Sequence, residues 1–334
     1  MKRILLLISY ILLHLLTNAQ QIKILTSHNK ISLRGLSVMN DNIIWASGSD
    51  GQVARSINGG KDFEWITVKG YEQRDFRDIE AFDANTALIM AVDTPAVILK
   101  TKDGGETWSK VFYDDTPGMF LDAMDNGFVI GDPINSKMFL ASSSFNGESW
   151  KKESIKNLAV ENGEACFAAS GTNLKVALNK KYNLASLFFV TGGTKSRLFF
   201  DDSLYNLNIV QGKETTGANS IDINSKQKGV IVGGDFLHDS STEKNCVLFT
   251  YNGRQINFLL PQTYPHGYRS CVAFITEGSL ICCGLTGVDI SNDSGLNWKL
   301  ISDESFNVCA KAKKGNTVFL AGKDGRIAKL MPAP

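Results

Sequence analysis

Residues 101–108, TKDGGETW, decide how this chain folds. They have the form Ser/Thr-x-Asp-x-Gly-x-Thr-Trp, and the form returns at residues 291–298 as SNDSGLNW, with Asn297 in the threonine place. A weaker copy stands at 56–63, SINGGKDF, and a worn one at 143–150, SSFNGESW. The aspartate can accept hydrogen bonds from turn amides, the glycine can take a positive φ, and the aromatic can pack beneath the hairpin that the turn closes. The stretch therefore reads as a pin between two antiparallel strands, used several times.

Working outward, each copy sits in a longer repeat. Short apolar strands end in glycine at Gly48, Gly131, Gly192, Gly233, Gly284 and Gly322, with Ala91 taking the glycine place after LIMA. The steps between endings are 43, 40, 61, 41, 51 and 38 residues. That spacing suits the four-strand unit of a β-propeller blade, and it predicts seven blades. A second strand opens before most endings, at Arg34, Arg77, Phe120, Asn219, Arg269 and Asn307, and is read as the innermost strand. In the fourth unit the corresponding piece, GEACFAA from Gly163, lies further back and implies an insertion. The last unit lacks a fourth strand, while residues 21–25, QIKIL, stand unassigned ahead of the first. QIKIL is therefore predicted to complete the last blade and close the ring. No window of the mature chain sustains a helical apolar pattern. The expected fold is all-β: one seven-bladed propeller of four-stranded antiparallel blades over residues 20–334.

Residues 1–19 read as a secretory signal, with Lys2 and Arg3 before an apolar run and Thr17-Asn18-Ala19 at the cut. The run is too short for a comfortable membrane span. The mature protein is thus expected to be exported, to the periplasm, cell surface or medium, and monomeric. A net charge of +1 over 334 residues leaves no basic excess to track phosphates, which argues against nucleic acid. Six cysteines, Cys166, Cys246, Cys271, Cys282, Cys283 and Cys309, are read as small buried hydrophobes. Cys271 and Cys309 fall at the same place in successive repeats, which makes them the pair to test first for a bridge.

The turn pattern resembles the Asp-box, or BNR, repeat of β-propellers. Arg77-Asp78-Ile79 with Phe82, followed by a glycine-ended strand and TKDGGETW, resembles the propeller family named for the photosystem II stability and assembly factor of plants and cyanobacteria. The likeness extends to exported bacterial propellers labelled oxidoreductase, but the sequence has neither a Gly-x-Gly-x-x-Gly turn between strand and helix nor a Cys-x-x-Cys-His. No cofactor is expected. The resemblance implies a seven-bladed scaffold that holds a protein partner.

Propeller geometry gathers the inner-strand starts and certain loops at one mouth of the central channel. Arg34, Arg77, Arg197 and Arg269 are expected there with Glu164, His266 and Tyr268. Arginine binds carboxylate in two-pronged fashion and stays charged, so the mouth is read as a site for an acidic peptide, a protein tail or a carboxylated ligand. Two alternatives stand beside this reading. Each arginine can instead pair with a neighbouring carboxylate, Arg77 with Asp78 or Asp132, in a purely structural cell-envelope scaffold. A sialidase-like hydrolase of acidic sugars would use Tyr268 and Glu164 as nucleophile and activator and Asp93 or Asp132 as acid. The Arg-Ile-Pro signature of such enzymes is absent from ISLRGLSV. His28, His238 and His266 lack ligand spacing, so no metal site is expected.

Overall fold

The computed structural model describes residues 20–28, 30–144, 146–153, 159–179, 184–252 and 255–331. The proposed signal, residues 1–19, lies outside them. Seven antiparallel sheets follow one another along the chain as blades, and no helix forms among the described residues.

Blade one is built from Leu33–Val38, Ile44–Gly48, Gln52–Ser56 and Glu64–Thr67, in that order from the axis outward. Its second strand is buried at every residue, whereas its outermost strand is largely exposed. The difference follows from stacking: a middle strand is covered on both faces by neighbouring blades, so it reads as a continuous apolar run rather than an alternating one. Blades two, three, five, six and seven repeat this order. Side chains shared between adjacent blades form the core, as where Trp45 of blade one packs with Ile89 and Leu99 of blade two.

The turn at 101–108 is held as its sequence predicts. Thr101 Oγ1 donates to Asp103 Oδ1 at 2.8 Å and accepts from Gly105 N at 2.9 Å, and Thr107 N donates to Asp103 Oδ1 at 3.0 Å. Ser291, Asp293, Gly295 and Asn297 repeat the set at 2.8–2.9 Å. In blade one the roles trade places: Asn58 accepts from Asp62 N at 3.1 Å. Gly105 has φ +99°, and a Cβ there would lie 2.7 Å from Ile66 of blade one. The turn thus also seats its blade against the preceding one, and only glycine fits.

The N-terminal strand Gln21–Thr26 pairs antiparallel with Ile327–Met331 as the outermost strand of blade seven. The ring is closed by this pairing, as QIKIL implied. Lys313 N and Lys314 N add bonds of 2.9 and 3.0 Å to the carbonyls of Val38 and Met39, joining the last blade to the first.

Blade four departs from the expected plan. Its innermost strand is Leu174–Asn179, not the GEACFAA stretch. Glu164–Ala165 instead pairs with Gly192–Gly193, which joins the inner edge of blade five, so that sheet carries six strands. ACFAA has the composition of a strand, but the next residues, Ser170 and Gly171, turn the chain across the channel.

Candidate functional site: one mouth of the channel

A register irregularity builds the site. In blade one Leu33 pairs with Gly48 but the next pair is Gly35 with Ser47, so Arg34 is the extra residue of a β-bulge. Blade two skips Arg77 between Phe76 and Asp78, blade three skips Asp122 between Leu121 and Ala123, and blade five skips Asn219 between Ala218 and Ser220. A bulge leaves its extra residue outside the ladder and re-aims its side chain. It also explains the glycine that ends the second strand: a Cβ on Gly131 would run into the carbonyl oxygen of Phe120, where the bulged backbone swings close.

Arg34, Arg77 and Asn219 line a single cavity of about 480 Å³ with Asp132, Tyr268 and Ser270. Arg34 donates from Nη1 to the Ala169 carbonyl at 3.1 Å and has no carboxylate within ion-pair range among the described residues. Burial and the neighbouring Arg77 pull its pKa below the usual arginine value, with Asp75 opposing. Arg77 is bonded through Nε to Asp75 Oδ2 at 2.7 Å and lies over the Phe120 ring. Among the described residues Asp132 accepts only from Cys166 N, at 3.1 Å, and burial pushes it up to about 6. Asp122, wholly buried, is pushed well up by burial and by Asp132, with Arg77 opposing.

The remaining wall is aromatic. Tyr268 is buried and donates to Asn219 Oδ1 at 2.9 Å; burial raises its phenol, so the group stays protonated. Phe236 stands edge-on to both Tyr268 and Phe167. Phe236 and Leu285 line the cavity and are 38% and 43% exposed, which gives the mouth an apolar lip.

The floor is the chain's own segment 166–172. Cys166 to Ala169 line this cavity, while Gly171 and Thr172 line a second one, about 340 Å³, at the opposite mouth. Ser170 Oγ donates to the Ser270 carbonyl at 2.7 Å and Thr172 Oγ1 to Ser220 Oγ at 2.7 Å, tying the segment to blades six and five. Arg34 and Arg77 reach it from blades one and two. The mouth is thus a blind pocket rather than a through-channel.

Arg34, Arg77, Asp132 and Tyr268 are the sequence-chosen residues brought together here. The others stand apart. Arg197 donates from Nε to Glu164 Oε1 at 2.8 Å and pairs with Oε2 as well, and Thr191 donates to the same carboxylate at 2.6 Å. Arg269 is fully buried: Nε donates to Asp289 Oδ2 at 2.7 Å, and its other nitrogens reach the carbonyls of Tyr268 and His266 and the Thr286 hydroxyl at 2.8–2.9 Å. His266 hands Nδ1 to Asp289 Oδ1 at 2.6 Å. Asp93 is exposed and outside the cavity lining. Of the hydrolase reading, Tyr268 and Asp132 share the cavity but Glu164 and Asp93 lie outside its lining, and the Tyr268 hydroxyl faces an amide rather than a carboxylate.

Phe120, Phe167 and Phe236 enter the site without having been singled out in the sequence, and Asp122 is buried behind it. A bulge ring offers the missing signal for Asp122: it is the second residue of its inner strand, as Arg34 and Arg77 are of theirs. All six cysteines are free and buried, and the Cys271 and Cys309 sulfurs lie 3.8 Å apart.

The fold and the blind mouth define a seven-bladed β-propeller. Among solved structures the chain is similar to YCF48 bound to D1 peptide, at 14% identity and a TM-score of 0.60, covering 94% of this chain and 97% of that one. YCF48 from Cyanidioschyzon merolae matches at 14% identity and a TM-score of 0.58, covering 92% of this chain and 98% of that one. The WD40 β-propeller domain of Doa1 matches at 12% identity and 0.58, covering 93% and 97%. No protein-family model and no curated protein matches the sequence. At these identities the likeness is one of fold.

Proposed function

We propose that this protein is a non-enzymatic binding propeller whose arginine-bearing mouth holds an acidic segment of a protein partner. One observation carries the reading: Arg34, re-aimed by a bulge into a blind cavity beside Arg77, has no carboxylate partner of its own. A half-buried guanidinium with no ion-pair partner of its own is poorly compensated, and a carboxylate from outside relieves that cost while gaining paired, charge-assisted hydrogen bonds. The exposed lip of Phe236 and Leu285 gives a peptide's apolar side chains somewhere to rest. That a propeller of similar fold, YCF48, is known bound to D1 peptide supports a peptide as the guest.

The partner is taken to be extracytoplasmic, because residues 1–19 have the order of a secretory signal. We further assign the turns at 56–63, 101–108 and 291–298 to the Asp-box type, on their shared hydrogen-bond pattern. Thermal shift against acidic peptides tests the binding. A peptide at a hundred times its Kd adds about 2.7 kcal/mol of stability, and Arg34→Ala cuts the shift to about half or less. Undiminished affinity in that variant removes the proposal.

A further inference from the structure

We infer that the segment held at this mouth is dipolar, carrying a basic side chain close to its carboxylate. The inference rests on the reading just given. The bulge positions order the charges around the mouth: arginine in blades one and two, aspartate in blade three, and neutral Asn219 in blade five, with Ser270 in blade six likewise neutral. Asp75 already neutralises Arg77 at 2.7 Å, and Asp122 is sealed away from solvent. Among the described residues, two charges therefore face the cavity without an ion partner, the Arg34 guanidinium and the Asp132 carboxylate. They belong to blades one and three, both line the same cavity of about 480 Å³, and they do not pair with each other. Only one oxygen of Asp132 is engaged, by the Cys166 amide, which leaves the other free to accept.

A purely acidic guest satisfies the arginines but brings its charge toward Asp132, and like charges in a partly dry site repel. A guest with a carboxylate at Arg34 and Arg77 and a lysine or arginine at Asp132 satisfies both walls. Asp132 thus discriminates among acidic partners, favouring those with a neighbouring base and penalising uniformly acidic ones. In this role it is a specificity determinant and bears no load in the fold beyond one backbone hydrogen bond.

The test uses acetylated, amidated peptides of equal length on the full chain, read by calorimetry or fluorescence anisotropy. One carries a single glutamate among neutral residues; a short series adds a lysine one, two or three residues away; a last one carries the lysine alone. The best glutamate–lysine peptide is expected to bind about tenfold or more tighter than the glutamate-only peptide. Asp132→Asn should erase that gain while leaving glutamate-only binding as strong or stronger, and Asp132→Glu should keep it. Because burial disfavours the Asp132 carboxylate, the asparagine variant is expected to fold, and the glutamate-only peptide reports on its integrity. Equal binding of both peptide types by the native chain, or a lysine gain that survives Asp132→Asn, overturns the inference and leaves the arginine mouth standing. Failure of every glutamate peptide overturns the arginine mouth itself.

Discussion

The first-blade and sixth-blade walls of the mouth look alike in sequence and behave oppositely. ISLRGLSV and GYRSCVAF each place an arginine near the start of an inner strand. In blade one the arginine occupies the bulge and faces the cavity. In blade six the bulge place belongs to Ser270. Arg269 takes the place of Leu33: a Cβ on Gly284 would meet the Arg269 Cα at 2.9 Å, as one on Gly48 would meet the Leu33 Cα at 3.0 Å. One residue of register turns a side chain to the other face of a strand. A guanidinium in the bulge is available to a ligand, and its neighbour one step earlier is locked inside the blade.

The comparison breaks most sharply through Asp289, which has no counterpart in blade one. Asp289→Ala strands Arg269 as an uncompensated buried charge, and the expected loss is about 3–5 kcal/mol of unfolding free energy in denaturant titration. Replacing both partners, Arg269→Met with Asp289→Leu, should recover most of it, since well-packed apolar pairs often match buried ion pairs. If Asp289→Ala melts like the native chain, Arg269 is not locked and belongs with Arg34 after all.

The opposite signature is expected at Arg34. Arg34→Ala relieves a desolvated cation next to Arg77, so the cost in stability should stay within about 1 kcal/mol, while affinity for a glutamate peptide falls about 10- to 100-fold, the worth of one or two charge-assisted bonds. Equal binding by both proteins would place the ligand elsewhere. A smaller effect belongs to Tyr268, whose hydroxyl serves only Asn219. Tyr268→Phe should cost about 1 kcal/mol of stability and leave peptide affinity within about twofold; a large loss of affinity would make the phenol part of the site.

Much of this was legible beforehand. The glycine-ended strands and pinned turns fix blade number and ring closure, because both depend on local backbone geometry that a few residue types supply. The mouth was legible only in part, since a bulge is a property of two paired strands rather than of one. Arg34 and Arg77 line the cavity, whereas Arg269, expected beside them, lies buried one residue before the bulge place of its blade. A clue did exist: Asp289 sits two residues before Ser291 in a strand buried throughout, where blades one and two have Ala54 and Leu99. A carboxylate inside such a strand requires a cation, and Arg269 is that cation. The floor was illegible for a different reason. Segment 166–172 is shaped by contacts with blades one, two, five and six, so nothing in its own pattern separates it from a strand.

Proton concentration should tune the open mouth through Asp132. Asp132 titrates at about 6 because burial disfavours its charge, so at pH 7.5 it is ionised and repels a purely acidic guest. The titratable groups that line the cavity with it are Arg34, Arg77, Cys166 and Tyr268, and buried Asp122 lies close enough to feel its charge. The arginines stay charged, and burial keeps the thiol and the phenol protonated. Lowering the pH to 5 protonates Asp132 while a peptide glutamate, near 4.3 in its ordinary state, remains largely ionised. Affinity for the glutamate-only peptide should therefore rise about threefold between pH 7.5 and 5, and the lysine-dependent gain should shrink over the same range. The linkage sign agrees for stability. A carboxyl whose folded pKa lies above its unfolded one binds its proton more tightly when folded, so its penalty is relieved as the pH falls through 6 toward 4. Asp132→Asn should remove the pH dependence of glutamate-peptide affinity, with affinity at pH 7.5 already at the native chain's low-pH level, and should lessen that of stability, to which buried Asp78, Asp122 and Asp125 also contribute. A native profile that parallels the variant's would show that Asp132 does not govern the mouth, and the difference between the two walls would then rest on Arg34 alone.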